Sequence, residues 1–179
     1  MRRLALSTAC AALGGCSLVP SAPKAHSIQS PVAVAQASHE YPGPVVHERV
    51  AGTAGGAVAA VRSFAGAYIN WSAATVSADM RALAARSVGQ ARSIVALAAA
   101  QTAQDYELQR GGVANHGRVE AVAPLPGHAR QYVVVTVERT TATNTTAYEG
   151  LAPAWHVAVA TVSEVGPGQW AVSGWQPES

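Results

Sequence analysis

Apolar residues change their spacing at Gly111-Gly112. Before that pair they recur every three or four residues, as on one face of a helix. After it they alternate, as on a strand with one face in a core. A chain that runs helices first and strands afterwards does not build βαβ units. It builds an α+β domain in which short connections make the strands antiparallel neighbours and the helices cover one face of the sheet. The chain has 179 residues, room for one such domain.

Val61, Phe64, Tyr68, Trp71 and Thr75 follow each other at helical spacing, with Arg62, Ser63, Gly66, Asn70 and Ala73 opposite them. This predicts an amphipathic core helix starting at Ala57. Ser77, with Asp79 behind it, reads as the N-cap of a short second helix ending near Ala85. Ser87-Val88-Gly89-Gln90 has the hydroxyl and amide of a capping box. Val88, Ala91, Val95, Ala98, Thr102 and Tyr106 carry a third, alanine-faced helix on to the left-handed stop at Gly111-Gly112. The strands are Val113–Ala123, closed by Pro124-Leu125-Pro126-Gly127, and the Val- and Thr-rich Gln131–Thr141. Ala154–Val165 alternates Trp155, Val157, Val159 and Thr161 against His156, Ala158, Ala160 and Val162, and Gly166-Pro167-Gly168 turns into Gln169–Trp175. The expected fold is three N-terminal helices on a curved four-stranded antiparallel sheet, over residues 57–179.

The first sixteen residues carry an address. Met1-Arg2-Arg3 is a positive start, Leu4–Leu13 is apolar, and Leu13-Gly14-Gly15-Cys16 follows. This resembles the bacterial lipoprotein signal. The resemblance implies cleavage before Cys16, so that residues 1–15 are lost, and a diacylglyceryl group on the Cys16 thiol. The apolar stretch is too short for a spanning helix, which needs about 20 residues, whereas two acyl chains suffice for stable attachment. The expected location is extracytoplasmic, anchored to the bacterial cell membrane by that lipid. From Cys16 to about Gly56 five prolines (Pro20, Pro23, Pro31, Pro42, Pro44) and scattered Ser and Gly read as a flexible tether. His26, His39 and His47 fall in it without metal-ligand spacing, and no metal is expected. Cys10 leaves with the leader.

Charge narrows the partners. Lys and Arg number 12 against 10 Asp and Glu, and Arg2 and Arg3 account for the excess, since the counts from Cys16 onward are ten and ten. A neutral mature chain has no general attraction for phosphate backbones, so direct nucleic-acid binding is not expected.

Three helices followed by four antiparallel strands, aromatics in the first helix, and the W-x-V-x-x-W close from Trp170 to Trp175 together resemble the nuclear-transport-factor-2-like (cystatin-like) superfamily. The likeness covers about residues 57–177 and is nearest the extracytoplasmic scaffold domains of conjugation and type IV secretion machines. It implies a cone-shaped domain and a non-catalytic, lipid-anchored envelope protein that meets protein partners or copies of itself. The sheet and the Thr-rich 140–153 loop, with Thr143, Asn144 and Tyr148, are the expected contacts. The same superfamily also holds small-ligand binders, cyclases and isomerases that use the cone. On that alternative Tyr68, Trp71 and His156 would line a cavity.

No catalytic set assembles by spacing. Asp79 is a helix-start residue. Asp105 and Glu107 flank Tyr106 near a helix end, where solvated charge is normal. Glu138 and Arg139 point to opposite sheet faces, one of them suited to pairing with a neighbouring strand. No Asp–His pair, Ser–His–Asp set or cysteine nucleophile can be assembled by sequence spacing, so no catalytic residue is assigned, and no cofactor beyond the Cys16 lipid is expected. Gly52-Thr53-Ala54-Gly55-Gly56 lacks the Gly-Lys-Ser/Thr ending of a phosphate loop. Asn70-Trp71-Ser72 and Asn144-Thr145-Thr146 match the glycosylation pattern, which carries no expectation in a bacterial chain.

Overall fold

A computed structural model describes residues 50–178; the leader, Cys16 and the tether histidines lie outside the described residues. The elements run α1 (Ala57–Ile69), β1 (Trp71–Ser72), α2 (Val76–Ala85), α3 (Gly89–Thr102), α4 (Tyr106–Gly111), β2 (Val113–Pro124), β3 (Gln131–Ala142), β4 (Ala154–Gly166) and β5 (Gln169–Glu178). The strands form one antiparallel sheet in the order β1-β2-β3-β4-β5. The domain is thus α+β with a curled antiparallel sheet, and the helices precede the long strands as expected. Among the described residues there are four helices and five strands, rather than three and four.

Each difference has a local cause. The first helix does not continue through Trp71 and Thr75. Asn70 Nδ2 donates back to Gly66 O at 2.8 Å and across to Gly117 O at 3.0 Å, while Asn70 Oδ1 accepts from Gly117 N at 3.0 Å. The side-chain amide thereby pairs with β2 as a backbone peptide would, and the chain leaves the helix to form β1 against Asn115 and Ala114. The second helix is entered at Thr75, not Ser77. Ser77 Oγ instead donates to Ala99 O at 2.9 Å and ties α2 to α3. The capping box also dissolves: Ser87 Oγ donates back to Leu83 O at 2.7 Å, and Gln90 Oε1 accepts from Trp175 N on β5 at 2.9 Å. Val88 takes the N-cap position of α3. The third helix is interrupted after Thr102, because Asp105 Oδ1 accepts from Leu108 N at 2.9 Å and so starts the separate α4. The stop at Gly112 stands, with φ at +61° in the left-handed region.

The core lies between the helices and the inner face of the sheet. Val61, Phe64 and Ala65 of α1, Met80 and Leu83 of α2, and Ala91, Val95 and Ala99 of α3 meet Val134, Ala158, Ala160, Val162, Val172 and Trp175. The alanines on α3 admit close approach, and α2 and α3 are neighbours. Phe64, Tyr68 and Trp175 form an aromatic trio with ring centroids 5.0 to 6.0 Å apart. Register shifts at Val119/Ala121, Thr161/Val162 and Glu164/Gly166 mark bulges, which bend a strand and increase its twist. Ala51 and Ala54, which the sequence reading assigns to the tether, are hydrogen-bonded to Ala85 and Trp170 of the domain.

Candidate cavity and outer sheet face

Along β3 the inner face carries Val134, Thr136, Glu138 and Thr140, so one strand passes from closed core to polar residues within seven positions. Where it turns polar, the helices no longer fill the space, and a cavity of about 460 Å³ opens between them and the sheet. Tyr68 from α1 and Trp71 just beyond it form one wall. Val76 and Met80 of α2 and Ala98 and Thr102 of α3 form another. Asn115, Glu138, Thr140 and His156 line it from the sheet, and Leu151 and Ala152 from the loop before β4. The volume falls within the range that holds a small organic molecule.

Glu138 is the centre of a fixed polar group. Its Oε1 accepts from Thr136 Oγ1 at 2.6 Å and its Oε2 from Asn115 Nδ2 at 2.8 Å. Asn115 also donates to Ile69 O at 2.8 Å and accepts from Thr140 Oγ1 at 3.2 Å. Glu138 therefore pairs with a residue of the neighbouring strand, while Arg139 points out from the other face and is exposed. Burial pushes the Tyr68 phenol above its ordinary 10.0, and the negative charge of Glu138 adds to that; the Trp175 indole N–H offsets part of it. That indole N–H is itself buried and lacks a hydrogen bond of good geometry among the described residues.

Tyr68, Trp71 and His156 all line this one cavity. His156 is exposed, on the inner-face side of β4 and diagonal to Glu138 in the β3–β4 register, with no hydrogen bond to it. Thr143, Asn144 and Tyr148 stand elsewhere, beside α4. Thr143 N and Asn144 N donate to Gly112 O and Gly111 O, and Asn144 Nδ2 donates to Arg110 O at 3.1 Å, so the start of the 140–153 loop is tied to that helix. Tyr148 is half-buried rather than presented on the loop. Asp79 lies in the first turn of α2, and Asp105 caps α4. Asn115 and Thr136 escaped the sequence reading: Thr136 reaches Glu138 as its same-face neighbour two residues along β3, whereas only the β2–β3 register brings Asn115 there.

The outer face of the sheet has a different character. Val137 pairs with Trp155, Val135 with Val157, and Val133 with Val159. Trp155 is 66% exposed and Val157 39%. Among the described residues no group of three or more His, Cys, Asp or Glu gathers as a metal site, and no helix is long and apolar enough to cross a membrane.

These features define a class, an α+β domain with a curled antiparallel sheet and a carboxylate-bearing cavity under its helices. Among solved structures the chain is similar to a domain of unknown function with a cystatin-like fold from Nostoc punctiforme PCC 73102. The identity is 15%, the match covers 67% of this chain and 75% of that one, and the TM-score is 0.43. No protein-family model matches the chain, and no curated protein matches it.

Proposed function

We propose that this chain is a non-catalytic, lipid-anchored extracytoplasmic protein whose domain binds a small, largely apolar ligand. The cavity of about 460 Å³ under the helices, walled by Tyr68, Trp71, Val76 and Met80, carries that reading. An apolar cleft with a few convergent polar groups is the usual form of a ligand site. The leader signature ending at Cys16 supports the location, and the diacylglyceryl group is the proposed membrane partner. A neutral, environment-sensitive dye such as phenylnaphthylamine tests the cavity in the full chain. Saturable binding by the unmodified chain should be lost in Ala98→Phe, which fills the space from α3, with the circular dichroism spectrum retained. Equal binding by both would place the dye elsewhere and reject the cavity.

A second reading is favoured by the outer face. Six paired apolar side chains on β3 and β4, with Trp155 largely in water, suit a protein partner or a second copy, as an envelope scaffold of a DNA-transfer apparatus would require. The 140–153 loop contributes less to this reading, because its first residues are tied to α4. Sedimentation of the full chain and of Trp155→Ser separates the cases. A sheet-face association should weaken in the variant, whereas a monomer in both would leave the cavity as the functional feature.

A further inference from the structure

The hydrogen-bond polarity around Glu138 restricts what the cavity can take. The protein's own donors there are already committed. Both Asn115 amide protons go to Ile69 O and Glu138 Oε2, the Thr136 hydroxyl goes to Glu138 Oε1, and the Thr140 hydroxyl goes to Asn115 Oδ1. On the opposite wall the Thr102 hydroxyl donates to Ala98 O at 2.8 Å. What remains toward the space is acceptor capacity: the further lone pairs of the carboxylate and of the Thr140 and Thr102 oxygens. Tyr68, Trp71 and His156 are the lining side chains still able to donate, none of them fixed by the group around Glu138.

Charge points the same way. Glu138 is half-buried, and its partners are neutral; among the described residues the ion pairs join Arg110 to Glu107 and Arg118 to Glu120, and none reaches Glu138. Tyr68 and Trp71 line the same cavity as Glu138. Aromatic faces attract a cation and not an anion. Resting on the reading of the cavity as a ligand site, we propose that its ligand is an organic cation, a protonated amine or guanidine on an apolar body. The N–H groups meet Glu138 and Thr140, and the body lies against Trp71, Val76 and Met80.

Calorimetry on the full chain with three probes of one shape tests this: phenethylammonium, phenethyl alcohol and hydrocinnamate. The ammonium should bind at least about tenfold tighter than the alcohol, the ratio expected of a hydrogen bond to a charged group, and the carboxylate probe weakest. Glu138→Gln should bring ammonium and alcohol to within about twofold of each other. If the alcohol binds and the ammonium is no tighter, or if the carboxylate is preferred, the cation assignment is overturned while the cavity reading survives. If none of the three binds, and the neutral dye does not either, both fall. The three-probe comparison on the unmodified chain decides the matter even if Glu138→Gln does not fold.

Discussion

Asn115 is 6% exposed and makes three side-chain hydrogen bonds, two of them to residues of β3 and one to the end of α1. Removing its amide leaves Ile69 O without that donor and takes one of two donors from Glu138. Asn115→Ala should therefore cost about 2–3 kcal/mol, read as a lower urea midpoint. Gly117 is a steric counterpart. A Cβ there would meet Val137 O at 2.6 Å and Glu138 Cγ at 2.9 Å, so Gly117→Ala should cost about 1–3 kcal/mol and shift the Glu138 side chain. Tyr68 sets an alkaline limit. Its phenol titrates above 10.0 when folded, so above the unfolded value the unfolded chain releases that proton first. Its contribution to stability is complete below pH 10 and is lost as pH rises through the folded pKa. Chemical denaturation across that window should show a steeper alkaline decline in the unmodified chain than in Tyr68→Phe. At this scale the cystatin-like resemblance, not spacing, points to Tyr68, Trp71 and His156 as residues of one cavity. Asn115 stays hidden, because its value depends on a cross-strand register that no local pattern contains.

Elements are bounded here by side chains that serve a distant strand. Gln90 looks like part of a helix cap, yet it accepts from the Trp175 amide on β5. Val88 N donates to Val172 O, and Ala54 pairs with Trp170, so several contacts cover that edge strand. An uncovered strand edge invites pairing with other chains. Gln90→Ala should leave the Trp175 amide unpaired, costing about 1–2 kcal/mol and accelerating its hydrogen exchange relative to the rest of β5. Helical periodicity is legible in Val61, Phe64 and Tyr68 because burial on one face imposes it. Continuing the period to Trp71 and Thr75 fails because Asn70 has a second use, as a peptide-like partner for Gly117. The cap at Ser77 fails for the same reason, since its hydroxyl serves Ala99 O on α3, whereas the Ser87 hydroxyl bonds back to Leu83 O in the preceding turn.

For the molecule as a whole, two surfaces and one address carry the proposed function. Cys16→Ser should move the protein from the membrane fraction to the soluble one, since it removes the only proposed site for acyl chains; fractionation followed by immunoblotting reads it. Trp155→Ser should leave folding stability within about 0.5 kcal/mol, because the side chain is mostly in water, so any change in association belongs to the outer face. Measuring both properties on the same sample separates an interaction surface from a structural one.

Period, glycine pairs and proline turns settled the fold class, the order of the long elements and the ends of most of them. These are local consequences of burying one face of a helix or strand. Strand β1 and the gathering of Asn115 and Thr140 about Glu138 were decided only when the sheet closed on the helices. Those features depend on which backbone or side-chain partner lies across a gap of some twenty to fifty positions, and a linear pattern does not encode that distance.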